Sequence, residues 1–404
     1  MAGPLAGLRI IDMTSVLMGP YATQIMGDYG ADIIKVEPPA GDTSRGVGDR
    51  RHADMGVFFL HVNRSKRSIV LDLKQPAALA ALLRLAQTAD VLISNIRPAA
   101  LARLGITYQT LSAANPRIIV VHLVGYAQHG PYAARPAFED LIQGATGIAA
   151  LTRRPGHDEA PRYLPVTVCD RTTGLHAVNA VLAALYARSQ SGVGQAVEVP
   201  MFESMVPFVL GDHLAGRTFE PPLGESGYLR LLAEERRPYA TRDGYICAMV
   251  YTDAHWRAFL ALIGQPGWFD SDPRFATLGT RTVHTKALYG MVADAMQTRS
   301  TTEWLDLLAK ADIAAMPMHT PDSLLEDEHL KATGFIRIID HPTEGKIYEM
   351  GIPSRWSGTA PEIQHPVPRL GQHSVEILKE AGYDDEHVGR MLASGATMAG
   401  LGTD

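Results

Sequence analysis

Two cysteines in 404 residues, Cys169 and Cys247, leave no disulfide framework and no pair-of-pairs spacing that would hold zinc. No apolar run approaches the ~18 residues that a membrane-spanning helix needs. Excess positive charge is also lacking: 37 basic against 43 acidic residues give a formal net charge of −6, so nothing draws the chain to nucleic acid or to an anionic membrane. The first apolar run, LRIID, is short and carries Arg9 and Asp12, unlike the core of a secretory signal. The expectation is a cytoplasmic protein with neither nucleic-acid nor membrane partners.

Several chemical signatures are missing too. The turn after the first strand reads SVLMGP rather than G-x-G-x-x-G, and neither G-x-x-x-x-G-K-[ST] nor a G-x-S-x-G elbow occurs. Nicotinamide, flavin, P-loop and serine-hydrolase readings therefore lose their support. The 15 histidines are scattered without H-E-x-x-H spacing, so no metal site is expected. Cys169 lacks a nominated base that would activate its thiol and reads as a small buried residue.

What is present is an ordinary globular composition, with 46% hydrophobic and 20% charged residues. The length exceeds the roughly 250 to 300 residues at which one core stops growing, which predicts two domains. Short apolar runs alternate with helical patterns: strands over Leu8–Thr14, Ala31–Glu37, from Asp90 and from Arg117, with helices over Pro20–Tyr29, Gln75–Ala89, Pro98–Ala114 and Phe138–Leu151. Strands apolar nearly throughout predict an α/β fold with a Rossmann-like doubly wound parallel sheet, covered on both faces.

A long helix is predicted from about Asp170 to Gln190, stopped by the glycines of Ser191-Gly192-Val193-Gly194. The stretch Glu220–Gly227 reads as a linker, dividing a large domain over 1–215 from a small α/β domain over 228–326. Residues 327–404 read as a loop-rich segment, with prolines at 342, 353, 361, 366 and 368 and one short helix over Ser374–Ala381, returning to the large domain.

The opening PLAGLRIIDMTSVLMGPYATQIMGDYGADIIKVEPPAGDTSR resembles the start of the family III CoA-transferases, the CaiB/BaiF family, of which formyl-CoA transferases are members. Further blocks look like those of the family in the same order: NRSKRSIVLDLK from Asn63, ADVLISNIRPAALARLGI from Ala89, NPRIIVVHLVGYAQHGPYAARPAFEDLIQGATG from Asn115, CDRTTGLHAVNAVLAALYARSQSGVGQAVEVPMFES from Cys169 and PRLGQHSVEILKEAGY near the end. The resemblance implies an interlocked homodimer that moves coenzyme A from an acyl-CoA to a free carboxylic acid, with coenzyme A as substrate and no prosthetic group.

It places the nucleophilic carboxylate on Asp170, an acid beside it on Glu139, and the coenzyme A contacts on Val16, Leu71, Lys74, Asn95, Ile96 and Arg103. From the residues alone, Asp170 is equally an N-cap, and Glu139 a solvated helix-start carboxylate. Helix-start amides would keep Asp170 ionised near its reference value of about 3.9.

Departures bear on the substrate. Leu17 stands where oxalate-using members have glutamine, Pro38 replaces a basic residue, and a run of glycines is missing, Gly224-Glu225-Ser226-Gly227 being a poor substitute. The same fold hosts α-methylacyl-CoA racemases, but Phe138 occupies the place of their proton-carrying histidine. A non-catalytic acyl-CoA-binding subunit would be expected to lack the nucleophile, which Asp170 supplies. Arg236 or Arg237 is a candidate partner for the second carboxylate of a dicarboxylic substrate.

Overall fold

The structure, a computed structural model, describes residues 3–153 and 160–400. The chain divides into two compact units: Met1–Ala150, Arg162–Pro207 and Leu330–Asp404 form the larger, and Leu151–Pro161 with Phe208–His329 the smaller. The stretch Glu220–Gly227 thus lies inside the smaller unit. The chain instead crosses at Pro207 and Phe208, within the helix Met201–His213, where no change of composition marks the crossing.

The larger unit is built on six parallel strands: β1 (Arg9–Met13), β2 (Asp32–Glu37), β3 (Arg67–Val70), β4 (Val91–Ser94), β5 (Ile119–Val124) and β6 (Ala196–Pro200), in the order β3-β2-β1-β4-β5-β6. This is the doubly wound sheet that the apolar runs predict. Every residue of β3 and β4 is buried, as strands covered on both faces must be. Strand order reverses between β1 and β4, which makes their carboxyl ends the topological switch point where open α/β sheets commonly bind ligands.

Six helices of this unit position the site: α1 (Met18–Asp28), α2 (Pro76–Ala86), α3 (Pro98–Arg103), α4 (Tyr108–Ala114), α5 (Glu139–Ala145) and α6 (Val168–Ser191). Proline opens α2 and α3, where its missing N–H costs no helical hydrogen bond. Helix α6 stops at Gly192, whose φ of +76° suits glycine. Gly174 lets α6 lie against the start of α1: a Cβ there would sit 2.8 Å from the Met18 carbonyl oxygen. One core joins Ile11, Ile34, Ile69, Leu82, Leu92 and Val120 to Ile377, Leu378 and Met391 of the C-terminal segment.

That segment is more regular than its prolines suggest. A hairpin pairs Ile336–His341 with Gly345–Met350, and a second helix spans Asp385–Ser394. Most residues of the hairpin strands are exposed or half-buried, so no two-residue apolar alternation exposes them in the sequence. The smaller unit holds the three-stranded sheet of Tyr239–Ala240, Tyr245–Ala248 and Ala315–Pro317 and its own core around Trp256, Phe259, Phe275 and Trp304. Among the described residues no helix is long and apolar enough to cross a membrane.

Candidate active site

Helix α6 has no side-chain cap at Thr167, and Asp170 is its third residue, so the N-cap alternative for Asp170 falls away. Glu139, the first residue of α5, does the capping from across the gap. Its Oε1 accepts the N–H of Cys169 at 3.1 Å and its Oε2 the N–H of Asp170 at 2.8 Å. It is therefore no solvated carboxylate pointing away from the chain.

This arrangement overturns the expectation that Asp170 stays near its ordinary value. Partial burial and then the negative charge of Glu139 push the Asp170 carboxyl up to about 7, and Arg171 draws it back only in part. The physical reason is burial first and the Glu139 charge second, and that same Glu139 carboxylate accepts the Cys169 and Asp170 amides. Cys169 is buried, and burial followed by Glu139 pushes its thiol well above the usual range, so it is not an activated nucleophile. Arg171 lies over the ring of Tyr21, 5.0 Å from its centre, and lines a cavity of about 650 Å³ in the larger unit. Asp170 is not among the walls of that cavity.

The predicted coenzyme A residues gather by sheet topology. Val16 follows β1, Leu71 follows β3, and Asn95 and Ile96 follow β4, all at the carboxyl edge of the sheet. Asn95 ties the end of β4 to the turn after β1: its Oδ1 accepts the Ser15 N–H at 3.0 Å and its Nδ2 donates to the Ser15 carbonyl at 2.9 Å. Val16 is 45% exposed at a φ of +69°, a conformation that a β-branched residue adopts only under constraint. Leu71 is buried in the core beneath the sheet edge, whereas Lys74 and Arg103, the last residue of α3, are exposed. Arg236 and Arg237, in the smaller unit, are exposed as well.

Sequence reasoning missed the charges beneath the turn after β1. Asp42 accepts the Val16 N–H at 3.0 Å, both donors of Ser44, and Lys35 Nζ at 2.9 Å. Lys35 also donates to the Thr14 carbonyl at 2.9 Å. Alongside, Asp12 accepts Lys66 Nζ at 3.1 Å and the hydroxyls of Thr14 and Thr23. Burial works against charge on Asp12, but Lys66 and Lys35 outweigh it and hold the carboxyl down to about 2. Burial lowers Lys66 to about 8. Gln143 was also missed; its signal is its spacing of four residues from Glu139 on one face of α5. Among the described residues no three His, Cys, Asp or Glu side chains converge as a metal-ligand set.

The fold is a doubly wound parallel sheet, with the paired carboxylates of Glu139 and Asp170 at the start of α6, and comparison with known proteins gives its class. The model for CoA-transferase family III matches residues 5–374. A formyl-CoA:oxalate CoA-transferase of Rhodopseudomonas palustris is 33% identical, covering 98% of each chain, and the human succinyl-CoA:glutarate CoA-transferase is 29% identical over 97% of this chain and 89% of its own. A crystal structure of a CAIB/BAIF family protein from Brucella suis has a TM-score of 0.79 at 29% identity, covering 94% of this chain and 100% of the other. A hypothetical protein from Mycobacterium tuberculosis likewise has a TM-score of 0.79 at 29% identity over 93% of this chain and 99% of its own. The class is that of the CoA-transferases. The chain belongs to CoA-transferase family III.

Proposed function

We propose that this protein transfers coenzyme A from an acyl-CoA to a free carboxylic acid through a covalent intermediate on Asp170. The observation that carries the reading is the Asp170 carboxyl at the start of α6, beside a Glu139 that already occupies the local amides. A carboxylate so poorly stabilised is more basic, and hence a better nucleophile, than an ordinary aspartate.

The steps balance without any proton being consumed. An Asp170 oxygen attacks the thioester carbon, the C–S bond breaks, and coenzyme A leaves as thiolate, giving a mixed anhydride. The thiolate then attacks the Asp170 carbonyl of that anhydride, forming an aspartyl thioester and releasing the donor acid as carboxylate. The acceptor carboxylate attacks this thioester to form a second anhydride and free the thiolate again. Attack of the thiolate on the acceptor's carbonyl yields the new acyl-CoA and restores the Asp170 carboxylate. Thioester energy is conserved throughout provided that water stays out.

Val16, Asn95 and Ile96 at the carboxyl edge of the sheet, with Leu71, Lys74 and Arg103, are proposed to hold the nucleotide end: the two cations neutralise phosphate and the apolar groups flank the adenine. Relatives named for oxalate and for glutarate favour a dicarboxylic acceptor, with Arg236 or Arg237 reading its far carboxylate. The working form in this proposal is an interlocked homodimer in the cytoplasm.

Asp170→Ala tests the chemistry. The variant is expected to fold and to bind coenzyme A with little change while kcat falls by at least ~10⁴-fold, since removal of a nucleophile takes the whole covalent route with it. Retention of most of the rate would defeat the proposal.

A further inference from the structure

Gln143 lies four residues after Glu139 on α5, so the two side chains share one face of the helix. It is fully buried, and its amide is used on both sides. Nε2 donates to Glu139 Oε1 at 2.8 Å and reaches the carbonyls of Leu164 and Val166 at 3.3 Å each, while Oε1 accepts the Leu164 N–H at 2.8 Å. These partners fix the orientation of the amide: the Leu164 N–H requires an acceptor and the Glu139 carboxylate a donor. The segment 164–166 leads straight into α6, whose third residue is Asp170.

We infer that Gln143 is a positioning residue of the reacting centre, orienting the Glu139 carboxylate on the Cys169 and Asp170 amides and holding the entry of α6 in register with it. This rests on the reading of Asp170 as nucleophile. Without the amide, Glu139 keeps two of its three N–H partners and gains freedom to turn away from Asp170. The geometry of the pair then depends on backbone donors alone.

A buried glutamine also fastens two chain segments together, so loss of activity by itself would not separate orientation from folding. Two readouts do. The first is direct titration of the pair by NMR of ¹³C-labelled carboxyl carbons in wild type and Gln143→Leu. The groups facing the pair are Asp170, Glu139, Arg171 and the Cys169 thiol. Loss of the donor acts on the ionised Glu139 whether or not Asp170 is protonated, so it does not itself move the first proton; a Glu139 freed to turn away carries its charge off Asp170, and the midpoint is expected to fall from about 7. This measurement needs no turnover and stands even if the protein proves to have another activity. An unmoved midpoint in a folded variant overturns the inference.

The second readout is a double-mutant cycle on kcat. Gln143→Leu is expected to lower kcat by ~10²-fold with KM for the acyl-CoA within about twofold, and to add little once Glu139→Gln is present, because both changes act through one carboxylate. Additive effects, or a change confined to KM, would place Gln143 outside the centre. Gln143→Glu, of the same shape, guards against a misfolded leucine variant: its added carboxylate on the same face must raise the midpoint of the pair where Gln143→Leu lowers it, and failure to do so counts against the assignment. A midpoint that shifts in Gln143→Leu, with a wild type that transfers coenzyme A to no acid, would sink the proposed function and leave the positioning role intact.

Discussion

The Asp170 carboxyl is pushed up to about 7, first by burial and then by Glu139, so it gains and loses its proton near neutral pH. Attack on a thioester requires the carboxylate. The kcat/KM for the acyl-CoA is therefore expected to fall as pH drops through about 7, and Glu139→Gln, which removes the neighbouring charge, should move that limb down. An acid limb at about pH 4, the range of an ordinary aspartate, would contradict this electrostatic picture.

The linked effect on stability has a definite sign. Between 3.8 and about 7 the folded chain binds a proton that the unfolded chain has lost, so the Asp170 contribution to stability declines as pH rises through that window. Asp170→Asn should accordingly be more stable than wild type above pH 7, with the gain fading toward pH 4 in thermal melts. Asp170 and Glu139 were nominated through resemblance to the family, and the chain brings the two together. That Glu139 spans 31 residues to occupy the Asp170 amide was not legible, since no local spacing encodes that contact.

The turn between β1 and α1 shows how elements share the work of shaping a site. Val16 holds a left-handed backbone because its N–H is taken by Asp42, which is itself neutralised by Lys35, and both charged side chains are almost wholly buried, at 1% and 0% exposure. Lys35→Met leaves the Asp42 charge uncompensated and the Thr14 carbonyl without its partner. Removing one member of a buried ion pair costs about 3–5 kcal/mol, so urea denaturation should show a loss of that size. A loss below about 1 kcal/mol would mean that the pair does not support the turn.

Apolar runs and punctuating glycines made β1, β2, β4, β5 and the end of α6 legible. Lys35, inside the run ADIIKVE, was not legible as buried, because periodicity tells nothing of what a charge will meet once its strand is packed. The hairpin Ile336–Met350 was missed for the opposite reason: its exposed strands lack the alternation that a half-buried sheet imprints on sequence.

Across the whole molecule, the βα alternation was enough to foresee a doubly wound sheet, and the family match over residues 5–374 accords with blocks resembling the family from end to end. The change of unit inside the helix Met201–His213 escaped notice because the proline and glycine signals lie farther along the chain. A net charge of −6 provides no long-range pull on an anionic substrate, so the proposed binding of a coenzyme A thioester calls on local cations, for which Lys74 and Arg103 are the candidates.

Everything proposed for the full chain converges on a covalent bond at one aspartate. The direct measurement is to incubate the intact protein with an acyl-CoA, quench with hydroxylamine, digest, and locate the modified peptide by mass spectrometry. An aspartyl hydroxamate at position 170, formed only when the thioester is present, is the predicted result. An unmodified Asp170 in a sample that demonstrably transfers coenzyme A would contradict the account.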